Sequence, residues 1–392
     1  MLFQVLDSKK ECRAVFIDGQ IKEKFNSGRL THTWSPSAHF FDEGVEYASV
    51  WCTGTPIDDA CPADLKERWE HINKRAEAFM SSIKHAKIDL NYACIYDLLP
   101  RPFLIEYYSL KNDISKFVFE NHEKPRNYDF LHDLVVMLKK IESKDLNIEI
   151  KNLDQANTKI RHSISKINNS FNKIIYNPWS TVTGRLTTNK SSFPILTLNK
   201  ELRPALTPNN DIFVELDYNS AELRVLLGLL GEQQPSEDIH TWIGANVFSD
   251  KFTRDQVKKK IFAWLYNPKA RNKKLNHYFD RGRLDDLFYK NGVIETPYDR
   301  TIEAPPEKSV NYLVQSTTSD LFLTSAIKIS KMLKHKKSYV AFCIHDSLVL
   351  DFSKEDRPIM EEIISVFSKT KFGNFKTNVS MGKNFGALKK IT

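Results

Sequence analysis

Cysteine is scarce and unpatterned. Cys12, Cys52, Cys61, Cys94 and Cys343 are odd in number and form no CxxC pair, which argues against a disulfide framework or a zinc site and favours a reducing compartment. The chain also lacks any apolar run near the roughly 18 residues that cross a bilayer. Its opening, MLFQVLDSKK, lacks the basic-then-apolar order of a secretory leader. A soluble, cytoplasmic protein without a membrane partner is therefore expected. There is no internal repeat and no low-complexity linker. What is present is a globular composition: 392 residues, 41% hydrophobic and 11% aromatic, enough for two or three subdomains. The formal charge is +8, and it is concentrated. Residues 251–300 hold 13 Lys and Arg against 6 Asp and Glu, a local excess that favours a polyanionic partner.

The stretch Asp211 to Gly231, DIFVELDYNSAELRVLLGLLG, organises the rest. Ile212, Val214 and Leu216 alternate as in a strand with one face on a core. Asp217 is expected at the turn that follows, and Ser220 as N-cap of a Leu-rich helix from Ala221. A second carboxylate comes much later. In YVAFCIHDSLVLDF, Tyr339 to Phe352, two apolar runs flank His345, Asp346 and Ser347, the pattern of a hairpin with Asp346 at its tip. Either acid alone is more often an ordinary turn residue; together they suit two-metal chemistry, since Mg²⁺ takes hard oxygen ligands and leaves room for substrate phosphates.

Between them lies TRDQVKKKIFAWLYN. With Thr253 as N-cap, Arg254, Lys258, Phe262 and Tyr266 recur every four residues on one helix face. Val257, Ile261 and Leu265 form the apolar stripe that seats the helix. Two cations followed by two aromatics suit a nucleoside triphosphate, with charge-assisted hydrogen bonds for the phosphates and a ring against the base. A solvated basic face has the same composition, and the carboxylates decide between the two readings.

Elsewhere, Met1 to about Pro62 reads as short strands and turns, with a tight hairpin at Asp18-Gly19 and a strand over Glu46 to Cys52. A helix from Ala63 carries Leu65, Trp69, Ile72, Ala76, Phe79 and Ile83 on one face. Leu153, Ala156, Ile160, Ile164, Ile167, Phe171 and Ile174 continue a helical stripe, with Lys159, Arg161, Lys166 and Lys173 on other faces.

Several stretches in order, STVTGRLTTN (Ser180 to Asn189), LRPAL (Leu202 to Leu206), DYNSAELR (Asp217 to Arg224), DIH (Asp238 to His240), the Arg254 helix, NYLVQ (Asn311 to Gln315) and the His345-Asp346 hairpin, resemble the motifs of family A DNA polymerases. The resemblance spans Ser180 to about Gly386. It implies an α+β right-hand polymerase, with palm, fingers and thumb, an antiparallel palm sheet and a small N-terminal α/β accessory or remnant exonuclease-like domain. The expected domains are an accessory domain without proofreading at 1–111, thumb at 112–177, first palm part at 178–237, fingers at 238–306 and second palm part at 307–392.

By the same resemblance Asp217 and Asp346 hold two Mg²⁺ ions, for which Mn²⁺ substitutes, and Lys258 joins them as a catalytic group. Arg254, Lys258, Phe262, Tyr266, Glu222 and His240 bind the nucleotide, Glu222 by leaving no room for a ribose 2′-hydroxyl. Arg185, Arg203, Asn311, Gln315 and His345 meet DNA. The partners implied are primer-template DNA, deoxynucleoside triphosphates and replication accessory proteins. The small size suggests a phage enzyme, in the host cytoplasm. The chain departs from the family in several places: Ser347 stands where a glutamate is usual, Ala263 and Asn267 replace glycines, Pro268 ends the fingers helix promptly, and GVIETP (Gly292 to Pro297) lacks the customary Gly-Arg after it. The Asp18-Gly19-Gln20 stretch is the nearest approach to a nuclease motif and lacks its second carboxylate. Two other readings stay open, an RNA polymerase or primase on the same palm and a catalytically silent DNA-binding factor.

Overall fold

Apolar alternation at the N-terminus produces a three-stranded antiparallel sheet of β1 (Phe3–Asp7), β2 (Cys12–Ile17) and β3 (Gln20–Lys22) in that order. The computed structural model describes every residue except 9–10, 38, 41–43, 91, 154–171, 250, 268–269, 271 and 392. The chain divides into two compact units, Met1–Ser143 and Lys144–Thr392. The β2–β3 hairpin turns at Asp18 and Gly19, both at positive φ (49° and 74°), as a tight two-residue hairpin requires. Asp18 is exposed, so its place is explained by the turn.

The expected strand at Glu46 to Cys52 is mostly absent. Only Glu46–Tyr47 pairs, and Ala48–Trp51 is a helical turn. Val45, Tyr47, Ala48 and Val50 are all buried, and an apolar run buried on every side has no period by which to tell strand from helix. Helix α1 (Ala63–His85) buries Trp69, Ile72 and Ile83, with Leu65, Ala76 and Phe79 packed against the same core. Helix α2 (Arg101–Asn121) starts after Pro100, and α3 (Tyr128–Glu142) follows. The boundary expected at residues 111/112 falls inside α2. Leu104, Tyr108, Ile114 and Val118, on both sides of it, belong to one hydrophobic core, so the unit ends at Ser143 instead.

The second unit is built on β4 (Ile212–Tyr218), the middle strand of a five-stranded sheet. Helix α4 (Ala221–Leu229) follows it directly, then α5 (Ile239–Asn246), α6 (Arg254–Tyr266) and the 24-residue α7 (Ser309–Met332). The hairpin strands β5 (Tyr339–Ile344) and β6 (Ser347–Phe352) come next, then helix α8 (Met360–Ser368) and strands β7 (Thr377–Gly382) and β8 (Lys389–Lys390). The sheet order is β5-β6-β4-β7-β8, antiparallel throughout. Phe213, Val214, Leu216 and Tyr218 of β4 are all buried, so both faces of this strand are covered at its end. Tyr218 shows how the cover is fastened. Its ring stacks on Phe367 of α8 at 4.2 Å and 11°, and its hydroxyl donates to Phe367 O at 2.7 Å, a pairing worth about 0.5–1.5 kcal/mol beyond the area it buries.

Of the stripe expected over Leu153 to Ile174, the members Ala156, Ile160, Ile164, Ile167 and Phe171 lie outside the described residues, as do Lys159, Arg161 and Lys166. Leu153 and Ile174 are buried. Lys173 is not on a solvated face; it is buried with its ammonium 3.5 Å from Asp145. Pro268 also lies outside the described residues, and α6 ends at Tyr266. Among the described residues no helix is long and apolar enough to cross a membrane.

Candidate active site

Strand register brings the two acids together. Asp217 lies inside β4, one residue before its end, and not in the turn as expected. It pairs across the ladder with Ser347, the first residue of β6. Asp346 immediately precedes Ser347 in a two-residue turn whose first member, His345, has φ 54°. The acids are 129 positions apart in the chain yet share one end of the sheet. Burial, then the neighbouring Asp346 charge, push the Asp217 carboxyl up to about 6, although Asn378 Nδ2 donates to its Oδ2 at 3.1 Å. Burial also raises Asp346. Two partly desolvated carboxylates repelling each other are what a divalent cation relieves. Asp217 and Asp346 therefore fit Mg²⁺ as hard oxygen donors, with substrate phosphates and waters filling the rest of its shell.

The turn from β4 into α4 is strained and firmly held. Ser220 adopts φ 56° and ψ 63°, a left-handed conformation that costs a non-glycine residue about 1–2 kcal/mol. It occupies the N-cap position, but its hydroxyl caps nothing and meets His240 Nε2 at 2.9 Å. Asn219 and the fully buried Arg224 brace the turn. Arg224 donates to Asn219 O, Pro235 O and Glu237 O at 2.8–2.9 Å, and Asn219 receives Ile239 N and donates to Asp238. These contacts fix where Asp217 and Glu222 stand on either side of the turn.

A cavity of about 290 Å³ opens beside the acids, lined among others by Arg185, Glu222, Phe262, Ser319, His345 and Asp346. Glu222 joins three segments that are far apart in sequence. One oxygen takes a hydrogen bond from Arg185 and the other from Tyr266 of α6. Burial raises the Glu222 carboxyl, and Arg185 opposes that shift. Helix α6 begins with a capping box between Thr253 and Gln256 and seats itself through Val257, Ile261, Trp264 and Leu265. Its other face carries Arg254, Lys258 and Tyr266 exposed, with Phe262 half-buried. Phe262 and Tyr266 lie parallel at 5.7 Å, and the Lys258 ammonium sits 5.9 Å over the Phe262 ring.

The remaining residues singled out from sequence fall elsewhere. Arg254 makes a two-point pair with Asp238, at 3.0 and 2.9 Å. Burial alone would raise the Asp238 carboxyl, but Arg254, Asn219 and the Thr241 N–H hold it well below the usual range. His240 is buried beneath Ser220, and burial pushes it down to about 4, so it is neutral at physiological pH and not placed as a cationic phosphate ligand. Arg203 stacks on Phe385 at 4.8 Å and does not line the cavity beside Asp346. Gln315 donates to Asn311 at 2.8 Å, and Asn311 lines a separate cleft with Tyr266, Arg281 and Tyr312.

No family model matches the chain. Curated relatives do: it is 27% identical over 231 residues to the thermostable DNA polymerase I of Thermus aquaticus and 25% identical over 232 residues to that of Thermus thermophilus. Each match covers 46% of this chain and 28% of the relative. A further one, 21% identical over 272 residues, is DNA polymerase I of Chloroflexus aurantiacus. The chain spans under a third of the length of these relatives. Among solved structures, the POL domain of Pol1 from M. smegmatis, in complex with DNA primer-template and dNTP, matches with a TM-score of 0.62 at 13% identity. That match covers 88% of this chain and 83% of the other, more than the second unit alone supplies. The chain is similar to DNA polymerase I proteins over somewhat less than half its length. Its fold is the expected α+β right-hand polymerase.

The structure adds residues that the sequence did not single out. Asn378 holds Asp217 from the adjacent strand. Asp238 ties Arg254 to the braced turn. No Gly-Arg follows GVIETP, but Asp299 takes φ 58°, the region glycine favours, and Arg300 comes next. Arg300 pairs with the fully buried Asp320 at 2.9 and 2.7 Å. A side chain on Gly184 (φ 73°) would meet the Arg300 guanidinium at 2.5 Å, so Arg300 also backs the loop that carries Arg185. The signal for it was the Asp-Arg pair itself, hidden because a non-glycine residue takes the left-handed position.

Proposed function

We propose that the protein is a template-directed DNA polymerase that adds deoxynucleotides to a primer 3′ end by two-metal phosphoryl transfer. The observation that carries this reading is the meeting of Asp217 and Asp346 at one end of the sheet, beside a cavity walled by Arg185, Glu222 and Phe262. Bound Mg²⁺, or Mn²⁺ in its place, would activate the primer hydroxyl and neutralise the departing pyrophosphate. The protein's own groups do the rest. Asp217 and Asp346 hold the ions. Arg254 and Lys258 receive the triphosphate, Arg254 exchanging Asp238 for phosphate, and Lys258 serves as proton donor to the leaving group. Phe262 packs on the nascent base pair and Tyr266 stands near the template base. Glu222, held from both sides, closes the space under the sugar and excludes a 2′-hydroxyl. Arg185, Arg203, Asn311, Gln315 and His345 meet the duplex, with Asn311 and Gln315 acting as the bonded pair that they form. His240 supports the turn through Ser220 in place of a direct phosphate contact.

We assign residues 178–237 and 307–392 to the palm and 238–306 to the fingers, and infer that the first unit, Met1–Ser143, does not proofread. A phage-type enzyme in the host cytoplasm, working with replication accessory proteins, belongs to the same proposal. Primer extension with Mg²⁺ and single dNTPs tests the activity. Wild type extends and degrades no mismatched 3′ end, while Asp217→Ala and Asp346→Ala lose about 10³-fold or more, the several kcal/mol that metal-stabilised charge supplies. Glu222→Ala admits ribonucleotides. DNA binding without any extension by wild type would point to a silent binding factor. Ribonucleotide incorporation by wild type, unchanged by Glu222→Ala, would point to an RNA polymerase.

A further inference from the structure

The resemblance leaves one acid unaccounted for, because Ser347 stands where the family keeps a glutamate beside the hairpin aspartate. The structure shows what Ser347 does instead. It sits opposite Asp217 in the ladder, and its hydroxyl donates to Glu215 Oε1 at 2.9 Å. Glu215 lies two positions before Asp217 on β4, so the two carboxylates leave the same face of the sheet. Across the other ladder, Glu215 pairs with Ser380 and Asp217 with Asn378, and Ser380 pairs in turn with Lys390 on the edge strand. On β6 the residue opposite Glu215 is the buried Val349, and Glu215 is half-buried, with Ser347, Ser380 and Lys390 as the polar residues along its ladders.

We propose that Glu215 replaces the acid missing at position 347. The third carboxylate of the site has moved one strand over, from the start of β6 to β4, and Ser347 has become the tether that aims it. Among the described residues no three acidic, imidazole or thiolate side chains stand close enough to hold a metal ion together. Glu215 therefore acts as a positioning residue: it orders water around the ions held by Asp217 and Asp346, and is not a third direct ligand. The inference rests on the polymerase reading. It explains why an enzyme of this plan can dispense with the hairpin glutamate.

The test moves the acid back. Mn²⁺ binding to the full chain, in complex with a dideoxy-terminated primer-template and the next dNTP, is followed by electron paramagnetic resonance, and Mg²⁺ dependence is followed by single-nucleotide extension. Glu215→Gln is expected to weaken Mn²⁺ binding by about tenfold or more, the usual cost of losing a group that supports metal ligands, and to raise the Mg²⁺ needed for half-maximal rate in proportion. Ser347→Ala gives a smaller loss in the same direction. The double variant Glu215→Gln/Ser347→Glu recovers Mn²⁺ affinity to within about threefold of wild type, which a merely structural glutamate would not allow. Unchanged Mn²⁺ binding in Glu215→Gln, or a loss that Ser347→Glu does not recover in a protein with wild-type melting temperature, overturns the proposal while leaving the polymerase intact. Absence of both metal binding and extension in wild type overturns the polymerase reading and this inference with it.

Discussion

Two pairs of acids in the second unit, one buried and one half-buried, are handled in opposite ways. Asp320 and Asp351 are fully provided for. Asp320 is enclosed and meets Arg300 at two points. Asp351, 2% exposed, accepts the backbone N–H groups of Asn209 and Asn210 at 2.7 and 2.8 Å and the Tyr339 hydroxyl at 2.8 Å. Asp217 and Asp346 are desolvated and set against each other, with one amide on Asp217. The Arg185 guanidinium, whose charge draws Asp346 down slightly, is engaged with Glu222. A carboxylate whose partners are built into the fold serves stability. One whose burial is left uncompensated marks the place where a ligand supplies the missing charge.

That contrast can be broken at its stable end first. Arg300→Leu strips a buried acid of its paired guanidinium and should destabilise the protein by about 3–5 kcal/mol, measured by urea denaturation. Less than 1 kcal/mol would mean that Asp320 is not the structural acid described. Asp351→Ala leaves three donors without their acceptor and should cost about 1–3 kcal/mol in the same assay, without changing the Mg²⁺ dependence of extension. The smallest effect has the opposite sign. Because Asp217 titrates at about 6 in the folded protein and at its ordinary 3.8 when unfolded, the folded state holds more protons between roughly pH 4 and 6. Metal-free stability from this group is present below pH 4 and is lost as pH rises through 6. Asp217→Asn removes that loss and should stabilise the metal-free protein by about 1–2 kcal/mol at pH 7.5, with the gain vanishing near pH 4.

How much of this was legible in the sequence depended on the range of the forces involved. The β4–α4 junction, the Asp346 hairpin and the stripe on α6 could be read because period and turn chemistry are local. The partners of Asp217 could not. Asn378 and Ser347 reach it through strand register, which no local pattern encodes. Ser220 and Asp299 also misled, since each takes a left-handed backbone that sequence assigns to glycine, and so Ser220 was expected to cap a helix and Arg300 was passed over. His240 looked like a ligand by its motif, yet the fold puts Ser220 and Phe262 around it. The unit boundary was misplaced because α2 runs without a break through the position at which a change of domain was expected.

The central claim is that Asp217 and Asp346, which form no ion pair among the described residues, are left for divalent ions to complete. The melting temperature of wild type and Asp217→Asn at pH 7.5, with and without Mg²⁺, tests this most directly. The account predicts that Asp217→Asn melts higher than wild type without metal, and that Mg²⁺ raises wild type while leaving the variant where it was. A variant that melts lower than wild type without metal, or that gains as much from Mg²⁺, would contradict it.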